Sequence, residues 1–354
     1  MNSFLKSTQM KHWIKTEEEI NELRMNKLNK IMNRIKSINN LIKKENEEKS
    51  HGNSLNKDNI QRTINPTKYK KLEEDEKILI INYSKKLIKK LNSEKKKSSS
   101  LKCTAISYFR RFYLKKSIID YDPQFLMIAA VFLGSKVAQV NLTLEKIEVL
   151  FSIIKNNEKK VLDYEFYLTT ILDYNFFVYN PYHALYGLIY NLEKNQFFLG
   201  QNTENYINQE DFKQECSDII DKMFLTDNIF LYSYSEIALA SIFIKCFEKN
   251  ININNVAEKM EIDKIINVKE FLEGPFEKMK KNLESIPHFD SIEEEDKKAD
   301  ELYQTIHYFL KKHPKYQKYL DEERKALKKK MKDFSDDFDE LLRTKGLDNK
   351  NKNK

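Results

Sequence analysis

TAISYFRRFYLKKSIIDYDPQFLMIAAVFLGSKV, residues 104–137, decides the fold. With Leu101 just before it, the stretch places Ala105, Tyr108, Phe109, Phe112, Tyr113 and Leu114 on one helical face. A break follows at Asp122-Pro123. Beyond it, Leu126, Ala129, Ala130, Val131, Phe132 and Leu133 belong to a segment that is apolar nearly all round. Its small residues let a second helix come close, which marks the central helix of a bundle.

The pattern returns 111 residues later, the distance from Tyr121 to Tyr232, without a gap over both helices. Phe212, Cys216, Ile219, Ile220, Met223, Phe224 and Leu225 repeat the first face. Ile237, Ala240, Ser241, Ile242, Phe243 and Ile244 repeat the second, with Ala240 and Ser241 standing for the alanine pair. Two stacked helical domains of the same kind are the simplest account, so the fold class is all-α.

Composition agrees. The 354 residues, 40% of them hydrophobic, suffice for two packed cores and tails. Six Gly and six Pro leave little material for hairpins or phosphate-cradling loops. The net charge of +8 comes from interleaved signs, as in EERKALKKKMKD (322–333), and reads as solvated helix surface. Cys103, Cys216 and Cys246 are far apart without a CxxC, which argues against disulfide and zinc frameworks and for a reducing compartment. MNSFLKSTQMKHW has no signal-peptide core, and the uncharged run from Pro123 to Ser135 is short of the roughly 18 residues of a membrane span, so a soluble intracellular chain is expected.

Four regions follow: 1–70, an N-terminal helix and mobile linker; 71–178, a first helical block; 179–286, a second; and 287–354, a C-terminal helix and tail. The first helix runs from Thr16 to about Lys49 with a thin stripe of Ile20, Leu23, Leu28, Ile31 and Ile35, and Thr16 with Glu19 forms a capping box. His51–Thr67 is the linker, with a boundary near Pro66. The first block breaks at the KKKSSS stretch, at Asp122-Pro123 and near Asn156-Asn157, and Asn180-Pro181 opens the second. From Asp296 to Leu342 a charged helix around Leu302, Ile306, Phe309, Leu310 and Tyr316 is interrupted at Pro314, and LDNKNKNK is a frayed tail. Stripes this thin cannot form a core alone, so both ends are expected to dock on the first block.

No catalytic motif appears: GxGxxG, GxxxxGK[ST], HExxH and GxSxG are all missing. The six histidines are scattered, and His307 and His313 fall on different helix faces. No cofactor, no metal and no enzymatic activity are expected. Two charges stand out. Lys136 ends the most apolar helix, where an ammonium is costly to hide without an acid, and Glu165 lies among Leu162, Tyr164, Phe166 and Leu168. An ion pair at an exposed edge competes here with two charges that each point to water. In the second copy Phe247 takes the place of Lys136. Trp13, the only tryptophan, reads as an anchor for the N-terminal helix.

Two helical blocks, an A-x-x-x-x-x-K helix and a glutamate 29 residues after the lysine resemble the cyclin box. Residues 104–137 and LTDNIFLYSYSEIALASI (225–242) resemble cyclin H within that family, as does SxQxxHW, here Ser7, Gln9, His12 and Trp13. The resemblance covers most of residues 7–260 and implies two tandem five-helix cyclin-box repeats with extra N- and C-terminal helices. It implies that Lys136 and Glu165 contact the regulatory helix of a cyclin-dependent kinase and hold it inward. Leu133, Val137, Leu168, Thr169 and Tyr174 would form the apolar part of that surface, and Trp13 with His12 would anchor the N-terminal helix. The implied setting is a CDK-activating kinase with a RING-finger assembly factor and the transcription factor IIH core, acting in transcription and the cell cycle. Neither direct nucleic-acid nor membrane binding is implied; the compartment is nuclear, with the cytoplasm as a second site. Ala138 and Gln139 replace the usual acidic pair, and SEKKKSSS lacks the family's proline, which bears on affinity and partner choice. Cyclin C is the nearest alternative. Transcription factor IIB, which binds DNA and polymerase through cyclin-type repeats, would require zinc-ribbon cysteines that this sequence lacks.

Overall fold

The computed structural model describes residues 2–50, 72–93, 98–151, 157–198, 208–288, 292–311 and 314–344. Among these residues every regular element is helical. The His51–Thr67 linker, Pro66, residues 94–97 of the first break, Asn156 and the LDNKNKNK tail lie outside the described residues.

The N-terminal arm is α1 (Asn2–Leu5), α2 (Thr8–Trp13) and α3 (Glu17–Ser50). The first block is α4 (Leu72–Asn92), α5 (Ser99–Lys115), α6 (Pro123–Val137), α7 (Leu144–Phe151) and α8 (Glu158–Ile171). The second is α9 (Pro181–Lys194), α10 (Gln209–Met223), the single turn α11 (Asn228–Leu231), α12 (Tyr234–Glu248), α13 (Ile253–Lys259), α14 (Val268–Phe271) and α15 (Glu277–Glu284). A π-helical turn at Leu272–Phe276, containing Pro275, joins the last two. Then come α16 (Ile292–Lys311) and α17 (Pro314–Thr344).

Local chemistry sets the helix ends. The Asp122 carboxylate accepts from the backbone N–H of Gln124 at 3.0 Å, and Pro123 sits where no donor is needed. Asn180 and Pro181 repeat that device at α9. Thr16 and Glu19 exchange hydrogen bonds of 2.8 and 3.2 Å, the reciprocal box expected before α3. One break had no sequence marker: the chain reverses between α6 and α7 with Gln139 at φ 54°, without help from Gly or Pro.

The repeat is visible in the helix bounds, because α12 begins and ends 111 residues after α6. Leu101, Ala105, Tyr108, Phe109, Phe112, Tyr113 and Leu114 on α5, and all seven of their counterparts on and just after α10, are buried. Ala129, Ala130, Ala240 and Ser241 are fully buried where the central helices meet their neighbours. At Gly134 a Cβ would stand 3.4 Å from the Ala105 backbone nitrogen, so α5 and α6 touch almost backbone to backbone.

Both ends dock on this frame. Ile31, Ile35, Ile38 and Ile42 of α3 join the first block's core, and Lys27 pairs with Glu76 of α4 at 2.5 Å. The arm reaches farther than expected, since it also touches the second block. Phe4 packs edge-on against Tyr179 and Tyr234, the backbone N–H of Lys15 donates to the Phe230 carbonyl, and Arg24 makes a fork of 2.8 and 2.7 Å with Asp227. Burial alone would raise the Asp227 carboxyl, but the hydrogen bonds and charge of Arg24, with Arg110, outweigh it and hold that carboxyl below its ordinary value.

At the other end α16 lies against α4, with Tyr303 donating to Asp122 at 2.8 Å, and α17 runs along α8. The interruption expected at Pro314 falls where α17 begins. Leu302 is half-buried and Tyr316 fully buried; the side chains of Ile306, Phe309 and Leu310 lie outside the described residues. Trp13, 1% exposed, reports on the arm. Its emission maximum should be blue-shifted and poorly quenched by iodide in the native chain, moving to the exposed value only on unfolding. A native maximum already at the exposed position would contradict the docked arm.

Candidate functional site

Lys136 occupies the last turn of α6 and Glu165 the middle of α8, and the two helices pack side by side. Lys136 Nζ lies 2.6 Å from Glu165 Oε1 and 4.0 Å from the centre of the Phe132 ring. The lysine side chain is 52% exposed and the glutamate 14%, so the pair stands at the edge of the core. An ion pair this open contributes about 0–1 kcal/mol to stability. Its position is therefore open to a role other than holding the fold.

The remaining candidates divide. Leu168 is fully buried, and Leu133 and Thr169 are below a tenth exposed, so they underlie the surface and support it from inside. Val137 is half-buried. Tyr174, in a left-handed conformation at φ 58°, is half-buried because its ring stacks at 3.7 Å on Phe334 of α17. Trp13 is buried beneath the Arg111 and Lys115 side chains, 4.9 and 4.5 Å from its ring, whereas His12 is exposed.

The outer skin belongs to residues that the sequence reading did not select. Leu162 and Phe166 are 39% and 42% exposed, and they share with Glu165 one α8 face, at i, i+3 and i+4. Phe132, half-buried one turn before Lys136, extends this strip across α6. Helical spacing from Glu165 would have found them; counting apolar neighbours along the chain did not. The strip is thus apolar, with a fixed plus–minus pair at its centre, which suits an amphipathic helix of another protein.

The second copy lacks this arrangement. Phe247, its counterpart of Lys136, is 52% exposed and stacks on Phe276 at 5.6 Å. No cluster of three or more His, Cys, Asp or Glu suited to a metal occurs among the described residues, and no helix there is long and apolar enough to cross a membrane.

Comparison with known proteins matches residues 37–176 to the cyclin N-terminal domain and residues 180–308 to the cyclin C-terminal domain. Cyclin-H1-1 of Arabidopsis thaliana is 29% identical over 142 residues, 40% of either chain. Cyclin mcs2 of Schizosaccharomyces pombe is 27% identical over 247 residues, 68% of this chain and 69% of mcs2. The chain thus spans well under two thirds of the first of these relatives. In fold it resembles a chain in the structure of the CAK complex from Chaetomium thermophilum bound to ATP-gamma-S, with a TM-score of 0.55 at 19% identity over 90% of this chain and 88% of that one. Since the two domains of one family account in turn for the two copies of the duplicated fold, the chain belongs to the cyclin family, and within it is similar to cyclin H.

Proposed function

We propose that this chain is the regulatory subunit of a cyclin-dependent protein kinase of the CDK-activating type, and that it raises that kinase's activity without transferring phosphate itself. The observation that carries the reading is the exposed Lys136–Glu165 pair set in the apolar strip of Phe132, Leu162 and Phe166. A binding partner shifts a conformational equilibrium only through contacts it makes better in one state. A strip of this kind offers such contacts to a kinase helix in its inward position, where the kinase's own Lys–Glu pair closes over ATP.

In this proposal residues 71–178 are the kinase-binding box, residues 179–286 the second box, and residues 1–70 and 287–354 the flanking helices with their linker and tail. Trp13 anchors the N-terminal helix, while the exposed His12 is not part of that anchor. The likeness to cyclin H and to a chain of a CAK complex supports a partner kinase of that kind. The wider setting is a RING-finger assembly factor, the transcription factor IIH core and the nucleus, with the cytoplasm as a second site.

The test is affinity purification of the chain from its native cells, followed by kinase assays on the eluate and on the chain alone. The expected eluate phosphorylates activation segments of other cyclin-dependent kinases and the RNA polymerase II tail, while the purified chain hydrolyses no ATP. Recovery of a kinase with neither activity would move the assignment toward cyclin C. ATP turnover by the chain alone would overturn it.

A further inference from the structure

Arg111, on α5, is 3% exposed, yet among the described residues no carboxylate pairs with it and its Nη1 is buried without a hydrogen-bond partner. This is unlike its neighbours. Arg110 donates to Asp227 and to the Thr226 carbonyl, and Lys115 is paired with Asp173 at 3.1 Å. Arg111 Nη1 is sealed without an acceptor, and the guanidinium lies 4.9 Å from the centre of the Trp13 ring. That ring's own donor, Trp13 Nε1, is likewise buried without an acceptor.

Taking a cation out of water without a counter-charge costs several kcal/mol, and a ring face returns only part of it. Deprotonation offers no escape. Burial pushes the Arg111 guanidinium down to about 10, so it stays charged at neutral pH. The guanidinium therefore needs both an acceptor and negative charge.

Arg111 lines a cavity of about 20 Å³ where the arm (Gln9), the first block (Ser107), the connecting segment (Tyr179) and the second block (Tyr232, Tyr234) meet. One water-sized particle takes about 10–15 Å³ on this measure, so the cavity has room for one monatomic particle and none for a phosphate or sulfate. Gln9, Ser107, Tyr232 and Tyr234 among its lining residues carry amide or hydroxyl groups. A water would satisfy a donor but bring no charge.

We infer that the Arg111 cavity binds a single halide ion, chloride under cellular conditions, which neutralises the buried guanidinium and secures the N-terminal arm to both blocks. The inference is independent of the proposed kinase partner.

Two measurements on the full chain decide it. Thermal unfolding in sodium chloride is compared with sodium gluconate at equal ionic strength, where gluconate is too large to enter. The wild type should melt about 2–4 °C higher in chloride, the size expected for a site filled well above its dissociation constant. Arg111→Met, which removes the buried charge, should melt at one temperature in both salts. Crystals grown in sodium bromide should show an anomalous peak in the cavity beside the guanidinium. Absence of that peak overturns the inference whatever the melting data show. Equal melting of the wild type in both salts, or a chloride response retained by Arg111→Met, also overturns it. The bromide measurement uses the wild type and stands even where the variant fails to fold.

Discussion

Lys136→Glu is expected to weaken kinase binding by about 30-fold or more, in keeping with the roughly 2 kcal/mol or greater cost of losing a central interface charge. The reversed residue faces Glu165, now 2.6 Å from the lysine, and two carboxylates then compete for the same donor on the kinase. Glu165→Lys should act in the same direction. For Lys136→Glu stability should change by about 1 kcal/mol at most, because the lysine side chain is 52% exposed, whereas Glu165 is 14% exposed and its reversal should cost more. The double exchange, Lys136→Glu with Glu165→Lys, should recover part of the binding by restoring the internal pair. Titration calorimetry with the partner kinase measures the first effect and urea unfolding the second. If both single reversals bind like the wild type, the docking surface lies elsewhere.

Asp120→Ala is expected to cost about 3–5 kcal/mol of stability, the range for removing one member of a buried charged cluster. Asp120 is 4% exposed and accepts from Arg34 of α3 at 2.8 Å and from the Tyr316 hydroxyl of α17 at 2.5 Å. Arg34 also stacks on Tyr319, 3.7 Å from the ring centre. Removing the carboxylate leaves the Arg34 guanidinium with the more distant Glu323, at 3.9 Å, and takes the acceptor from the Tyr316 phenol, and these two groups belong to opposite ends of the chain. Both terminal helices should therefore loosen together. Asp120→Asn, which keeps an acceptor but loses the charge, should cost less. Limited proteolysis should cut α3 and α17 of the alanine variant at matched rates, well before the two blocks. An unchanged urea midpoint, or release of one helix alone, would contradict this coupling.

The two blocks were legible because their cores are continuous in sequence: each buried face of α5 and α10 lies within a few turns, and the break at Asp122-Pro123 is marked by residues with fixed backbone preferences. Lys136 and Glu165 were legible for the opposite reason, as charges in apolar surroundings. The turn between α6 and α7 left no trace, because its left-handed residue is a glutamine. The terminal helices showed their stripes but not their partners. Arg34 and Tyr316 are 282 residues apart, and no local pattern links them. Arg111 reads in sequence as one more polar residue in FRRFYLKK; only the fold reveals that its neighbour finds an acid and it does not.

The halves of α17 are held by different forces. Tyr316 and Leu320, 0% and 1% exposed, bind the first half to the core. Beyond them, Lys328–Asp163 and Lys330–Asp173 are exposed pairs, and Phe334 is 44% exposed even while stacked on Tyr174. The free energy of local opening should thus fall along one continuous helix, from near the global value at Tyr316 to a small fraction of it at Phe334. Amide hydrogen exchange would show this as a gradient of protection. Tyr174 sits at its low end, so local opening of α17 would uncover its ring. A partner that takes Tyr174 as part of its footprint then binds with an apparent dissociation constant equal to the intrinsic one divided by the bare fraction. In the proposed kinase complex, the second half of α17 would thus set an occupancy threshold for the surface around Lys136 and Glu165.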